Sequence, residues 1–409
     1  MQEARRHHSR HELMRRFPEP KIRHRVGIYA IDQDPEKTRS KGIYNYTRNL
    51  MRALAQLPDP GFRLVLVLSQ ANVGDLLPAE SPTWVSAYVA SGAFGRGVRR
   101  LLADNVLVRI LSSRLELDLL HFPKGWLPIP VPRRPRIVAT LHDAIPVFYR
   151  RAYPRIDPWR FRYFAWHTVR TLREADVVIT GSQASAHQLA ELDAARSSRV
   201  RVVVDGPGLR LPHPLPVPGG PREGILVLGS LAPHKQTCTT LKLIQAWAEA
   251  RSTDVRITLV GLERLPPDWH IPSEHVTFRF LGRVSDARLI EEYQRARALV
   301  LLSEIEGFGL PALESYALGT PVCYRAIPAL VEILDGAPGW WNGDGEQTFF
   351  RALDETLALS ASQVALVRER LLATYSWQRC ARATADEYRR ALGVSAAKPV
   401  IGTKDFRGI

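Results

Sequence analysis

Residues 205–221 read DGPGLRLPHPLPVPGGP, in which ten of 17 positions are proline or glycine. Proline fixes φ and carries no N–H, so this stretch can extend neither a helix nor a sheet ladder. It cuts a chain of 409 residues near its middle. Single cores stop growing well short of that length, so two domains joined by this segment are expected.

Before the linker, short β-branched runs stand at 25–31 (RVGIYAI), 63–68, 118–122, 136–141, 176–180 and 199–204. Segments of helical period, such as 43–56 and 183–192, lie between some of them. After it the alternation restarts, with runs at 224–230, 256–261, 276–282, 298–303 and 321–324. Strand–helix alternation argues for an α/β protein with parallel sheets covered on both faces. The expected architecture is two successive doubly wound domains, 25–207 and 208–375, facing each other across a cleft. Residues 1–24 read as a basic tail and 393–409 as a polar, irregular tail. The charged helix at 376–392 is expected to pack last, with return to the first domain as one option.

A hydrophobic content of 45% with 24% charged residues is globular composition. The longest uncharged stretch, SPTWVSAYVASGAFG, has 15 residues broken by glycine and proline. That is short of the ~18–20 needed to cross a bilayer. The chain opens on MQEARRHHSRHELMRRF, a polar segment rather than an apolar signal. Cys238, Cys323 and Cys380 form neither a disulfide framework nor a zinc spacing, which fits a reducing cytoplasm. Charge is unevenly placed: residues 1–207 carry 33 Lys and Arg against 19 Asp and Glu, and residues 208–409 carry 23 against 22. Charge spread only for solubility would not segregate in this way. The first half is therefore expected to meet an anionic surface: phospholipid, phosphorylated acceptor or nucleic acid.

In SEIEGFGLPALESYALGTPV (303–322), an apolar run ends in a glycine-rich turn and a helix starts near Pro311. The glycines allow close backbone approach, and the helix start offers unpaired N–H groups and the positive dipole end. A phosphate suits that place. Glu306 and Glu314 flank it, and ionised carboxylates only accept hydrogen bonds. They match sugar hydroxyls, not phosphate. One ligand carries both features, a nucleotide-sugar. The plainer alternative is a strand–turn–helix with one solvated and one capping glutamate.

This segment resembles the signature of the large retaining GT-B glycosyltransferase family, group 1, which includes many mannosyltransferases. The resemblance extends over most of residues 25–392. It implies two Rossmann-like domains, a nucleotide-sugar donor held mainly by the second, and neither metal nor other cofactor. It also implies that Glu306 binds donor-sugar hydroxyls, that Phe308, Gly309 and Leu310 line the sugar–diphosphate site, and that Glu314 holds the ribose.

Companion residues follow. In VLGSLAPHKQTCTTLKLI (227–244), Lys235 is a mobile cation suited to a leaving diphosphate, although a lone lysine is often only surface charge. The family has an arginine or a small hydroxyl residue where Ser230 stands. Gly42, ahead of the helix in 38–54, marks a possible anion site of the first domain, or simply a turn. His142 and Asp143 stand at the carboxyl end of a strand, where α/β sheets place ligands. The resemblance puts His142 over the donor sugar; the alternative is a satisfied buried histidine. Asp143 orients that ring or caps a turn. In LLHFPKG (119–125), His121 and Lys124 are expected to line the acceptor cleft. Arg283 and Val284 correspond to base-side contacts in relatives.

No Ser-His-Asp set, zinc spacing or P-loop competes. A retaining transfer with a covalent intermediate would need a carboxylate nucleophile, and no residue is nominated by position. The resemblance favours front-face transfer instead. On the acceptor side, FYRRAYPRIDPWRFRYFAWH (148–167) and GRGVRRLLADNVLVRILSSR (95–114) mix arginines with apolar residues. They suit an anionic membrane interface, or are core helices with solvated arginines. With a sugar donor, the coherent reading is hexose transfer, mannose first, to a saccharide or lipid-linked acceptor at the inner membrane surface. The rivals are an epimerase of the same fold and a nucleic-acid-binding protein. The second leaves Glu306, Glu314 and Lys235 unexplained and shows no base-recognition motif, so no nucleic acid partner is expected.

Overall fold

The structure, a computed structural model, describes residues 24–36, 41–91, 103–216, 222–269 and 271–394. The tails, Arg99 and Arg100, and the end of the linker lie outside them. Two parallel sheets organise the described residues. The first has strand order β3-β2-β1-β4-β5-β6-β7, from β1 (Arg25–Tyr29), β2 (Arg63–Ser69), β3 (Val85–Ala90), β4 (Leu119–Phe122), β5 (Arg136–Thr140), β6 (Val177–Thr180) and β7 (Val200–Val202). The second runs β10-β9-β8-β11-β12-β13, from β8 (Ile225–Leu228), β9 (Val255–Val260), β10 (Val276–Phe280), β11 (Ala298–Leu301), β12 (Val322–Arg325) and β13 (Trp340–Trp341). Each is a Rossmann-like unit, and every strand pairing is parallel.

Central strands such as β4 and β11 are buried along their whole length, as strands covered on both faces must be. Helices of the first domain include α1 (Lys41–Ala55), α2 (Val73–Leu76), α3 (Val108–Arg114), α4 (Ile145–Ala152), α5 (Pro158–Glu174) and α6 (Gln183–Leu192). Those of the second include α7 (Thr237–Ala250), α8 (Asp286–Arg295), α9 (Leu310–Ala317), α10 (Pro328–Leu334), α11 (Glu346–Leu357) and α12 (Ala361–Thr374). Apolar side chains form one core on each face of each sheet.

The last helix, α13 (Trp377–Ala391), packs on α1, and its Cys380, Ala381, Ala385 and Tyr388 join the core of the first domain. The chain therefore passes between domains twice, near 203–209 and near 375–377. The passages touch, for Trp377 Nε1 donates to the Pro207 carbonyl at 2.7 Å. Of the basic segments, 103–114 is a π turn followed by α3, and 95–102 is not described. Residues 148–167 form not one helix but the tip of a hairpin between α4 and α5.

Candidate active site

The second domain supplies two loops at the carboxyl ends of adjacent strands. After β8 the chain turns through Ser230, closed by Thr237: its Oγ1 accepts from the Ser230 N–H (3.0 Å) and donates to the Ser230 carbonyl (2.9 Å). The Ser230 hydroxyl accepts from the Ala232 N–H (3.1 Å), so it is engaged in the turn itself. A short 3-10 turn, Pro233–Lys235, then leads into α7. After β11, residues 303–309 carry the acidic turn. Gly309 caps α9 with φ +104°, a conformation that disfavours any side chain, and a Cβ there would meet Leu330 Cδ2 at 2.6 Å. Phe308 is buried edge-on against Tyr375. The two loops are joined by the Glu304 N–H donating to the His234 carbonyl at 2.8 Å.

Across these loops Lys235 Nζ lies 2.6 Å from Glu306 Oε1. The cation and the first glutamate of the motif are thus a salt bridge before any ligand enters. Asp143 of the first domain sits close enough to feel both charges. Burial pushes its carboxyl up to about 6, Glu306 adds to that rise and Lys235 opposes it. Its Oδ1 accepts from the Ile145 N–H at 2.9 Å, which closes the turn into α4.

His142, partly buried, donates through Nε2 to the Pro123 carbonyl at 2.8 Å, leaving Nδ1 as the acceptor. Tyr46 of α1 stands edge-on to its ring at 4.7 Å. Burial pushes His142 down to about 4, with the Pro123 carbonyl working against the fall, so the ring is neutral at physiological pH. Glu314 is buried on α9. Its Oε1 accepts from the Leu209 N–H (3.1 Å) and its Oε2 from the Tyr293 hydroxyl (3.2 Å). Burial pushes this carboxyl up to about 8, against the pull of those bonds. Gly42 faces Leu310 across the cleft, its hydrogen side 3.9 Å from Leu310 Cδ1 for an added Cβ; residues 38–40 ahead of it lie outside the described ones. Arg283 is exposed on the loop before α8, and Val284, partly buried, packs on the core of the second domain that holds Phe308 and Tyr375.

One expectation is corrected. His121 does not line an acceptor cleft. It is fully buried, with Nδ1 2.6 Å from the Tyr388 hydroxyl and Nε2 2.8 Å from Thr140 Oγ1. Burial pushes it down to about 3. Both ring nitrogens are spent in the core, with no atom left for a ligand. Lys124 Nζ lies 2.7 Å from Asp32 Oδ2 and 5.7 Å from the centre of the Trp126 ring, partly buried at the end of β4.

The structure also brings forward residues that sequence reasoning passed over. The backbone of Gly307 presses against the first domain so closely that a Cβ would be driven into the His142 carbonyl. Its own carbonyl accepts from Ser182 Oγ (2.6 Å) and Ser185 Oγ (2.7 Å). Glu332 of α10 accepts from the Gln183 (2.8 Å) and Ala184 (2.9 Å) N–H groups at the start of α6. The Tyr149 hydroxyl lies 2.6 Å from His234 Nδ1, and the Tyr153 hydroxyl donates to Glu304. Asp205, where the chain leaves the first domain, is buried, and burial pushes its carboxyl up to about 8. The only signals for these were a Ser-x-x-Ser at 182–185 and an extra acid, Glu304, inside the motif.

Comparison with known proteins bears on the family and the fold. The family described as Glycosyl transferases group 1 matches residues 222–358, and the one described as Glycosyltransferase Family 4 matches residues 40–206. A glycogen synthase of Mycobacterium tuberculosis is 30% identical over 310 residues, 69% of this chain and 73% of its own. The chain belongs to the group 1 glycosyltransferases. Among its relatives, the serotype-specific mannosyltransferase WbdA of Escherichia coli is 31% identical over 141 residues, which is 33% of this chain but only 17% of WbdA. Solved structures share the GT-B fold. A sucrose-phosphate synthase of Thermosynechococcus elongatus covers 91% of this chain and 100% of its own with a TM-score of 0.64 at 20% identity. HepE of Anabaena, solved with UDP and glucose, covers 90% of this chain and 100% of its own with a TM-score of 0.59 at 15% identity.

Proposed function

We propose that this group 1 family member transfers a hexosyl group, mannose being the first candidate, from a nucleoside-diphosphate sugar to a hydroxyl of a saccharide or lipid-linked acceptor. The observation that carries the reading is the Lys235–Glu306 pair at the glycine turn, with Asp143 brought beside it by the other domain. The diphosphate sits at the start of α9, where backbone N–H groups and the helix dipole favour it. Glu306 accepts from the sugar hydroxyls, and Glu314 from the ribose beyond it. On donor binding Lys235 Nζ shifts from Glu306 toward the leaving phosphate, whose charge grows as the bond breaks. Neutral His142 lies over the sugar as a hydrogen-bond partner rather than as a second cation.

In the step itself the bond from the anomeric carbon to the phosphate oxygen breaks as the acceptor oxygen bonds to that carbon. The acceptor's proton passes to the departing phosphate. Retention follows if attack comes from the face the phosphate leaves, and no metal is required in this scheme. The named relatives, a mannosyltransferase and a glycogen synthase, and the UDP and glucose in HepE support a hexose donor of this type.

The test is thermal stabilisation by a panel of nucleoside diphosphates and their sugars, followed by product analysis with the stabilising donor. The expected result is a rise in Tm with one base and a transferred sugar of retained configuration. Stabilisation by oligonucleotides alone, or release of an epimerised nucleotide-sugar without an acceptor, would overturn the reading.

A further inference from the structure

The tip of the α4–α5 hairpin is the most unusual surface among the described residues. Trp159 is 79% exposed, and Ile156 (38%), Tyr163 (47%) and Trp166 (49%) lie beside it. Positions 159, 163 and 166 are spaced i, i+4, i+7, which puts them on one face of α5. Large aromatics in such a stripe are normally buried; here the stripe faces outward. Five arginines between 150 and 162 surround it, all exposed, and Asp157 is the one acidic residue from 145 to 167.

We propose that this hairpin is a docking surface for an anionic lipid bilayer. Aromatic rings settle at headgroup level and guanidinium groups find lipid phosphates, and the hairpin offers both on one convex tip. Charge complementarity selects anionic lipid. Nucleic acid fits the tip less well, because single strands are held by free ring faces along a groove. Here Arg162 lies over Trp159 at 5.6 Å, while Arg170 lies over Trp166 at 5.6 Å and Tyr163 stacks beside that ring.

The other arm of the hairpin, α4, reaches the loop that carries Lys235. Tyr149 stacks on Phe161 of α5 with centroids 4.1 Å apart and lies 2.6 Å from His234. A bilayer at the tip therefore lies within one helix of the site. The inference depends on the proposed transfer only for its use: it offers an acceptor embedded in lipid to the cleft. Docking is measured without donor or acceptor, so either claim can fail alone.

The test is flotation of the full chain with vesicles of phosphatidylcholine and phosphatidylglycerol, or of phosphatidylcholine alone, with a single-stranded oligonucleotide as competitor. Binding is expected only to the anionic vesicles, weakening at high salt. R150Q/R151Q/R155Q should lower the partition coefficient roughly fivefold per arginine. W159A/W166A should lower it about tenfold through lost apolar burial. Both variants should keep the wild-type Tm, which separates lost docking from misfolding. Equal partition of both variants with the wild type would overturn the proposal, and so would binding that disappears only when the basic tail 1–24 is removed. Loss of vesicle binding to the oligonucleotide, abolished by the same variants, would reassign the tip to nucleic acid.

Discussion

In the second domain the groups that meet the first come from two short stretches, 230–236 and 303–314, with Glu332 of α10 added to them. In the first domain His142, Tyr149, Ser182 and Ser185 come from three separate elements. The difference has a physical reason. A strand–turn–helix holds its side chains in register by local hydrogen bonds, such as the Ser230–Thr237 closure, and can present a charge without help. The contacts of Tyr149, Ser182 and Ser185 in the first domain exist only where the lobes meet. The second wall holds the charged pair on contiguous residues, and the first supplies closure beside His142 and Asp143.

If that division is right, the largest effect belongs to the second wall. Glu306→Gln should lower kcat about 10²–10³-fold, in line with losing a group that acts on the reacting centre. Steady-state assays should show this with nucleoside diphosphate affinity changed far less. An equal effect from a first-domain hydroxyl would break the comparison. Gly307→Ala comes next. Its methyl group would be forced into the His142 carbonyl and hold the lobes apart, costing roughly 10–100-fold in kcat/KM, since small displacements of positioning groups cost that much. Small-angle scattering should show the variant more open, with nucleoside diphosphate still bound.

Ser182→Ala with Ser185→Ala removes two donors to the Gly307 carbonyl. Each such bond is worth ~0.5–1.5 kcal/mol, so a loss of about 5–150-fold in kcat/KM is expected for the pair, carried mainly by KM. No change would mean that closure does not depend on this contact.

The smallest effect is on pH dependence of stability, and its sign separates two sets of buried groups. Asp205 and Glu314 have carboxyls raised to about 8, so their contribution is full below the unfolded value near 4 and is lost as pH rises toward 8. His121, His142 and His234 are lowered to about 3, 4 and 4, so theirs is present above the unfolded value near 6.5 and lost on acidification. Asp205→Asn should therefore gain Tm relative to the wild type as pH goes from 5 to 8, by a few degrees. A constant difference across that range would mean that Asp205 is already ionised in the folded state.

Much of the fold was legible, because β-branched runs separated by helical periods can close only as covered parallel sheets. The exceptions are instructive. β3 escaped notice because it is an edge strand with Ser86, Ala87 and Val89 exposed, so no apolar run marks it. The α4–α5 hairpin reads as a basic patch because its tryptophans face outward, which blurs the helical stripe. At the site, the turn and its glutamates were visible because they are contiguous. The closure contacts were not, since Ser182 and Gly307 are 125 residues apart and each is ordinary in its own context. His121 shows the same limit. A histidine at the end of a strand looks the same whether it faces a ligand or, as here, a tyrosine 267 residues away.

The two interdomain passages lie side by side, pinned by Trp377 on the Pro207 carbonyl. A pair of adjacent pivots leaves the lobes free to rotate about one line and resists sliding or twisting between them. A swing about that line would part Gly307 from Ser182 and Ser185, and closing again would have to return those three residues to the same register.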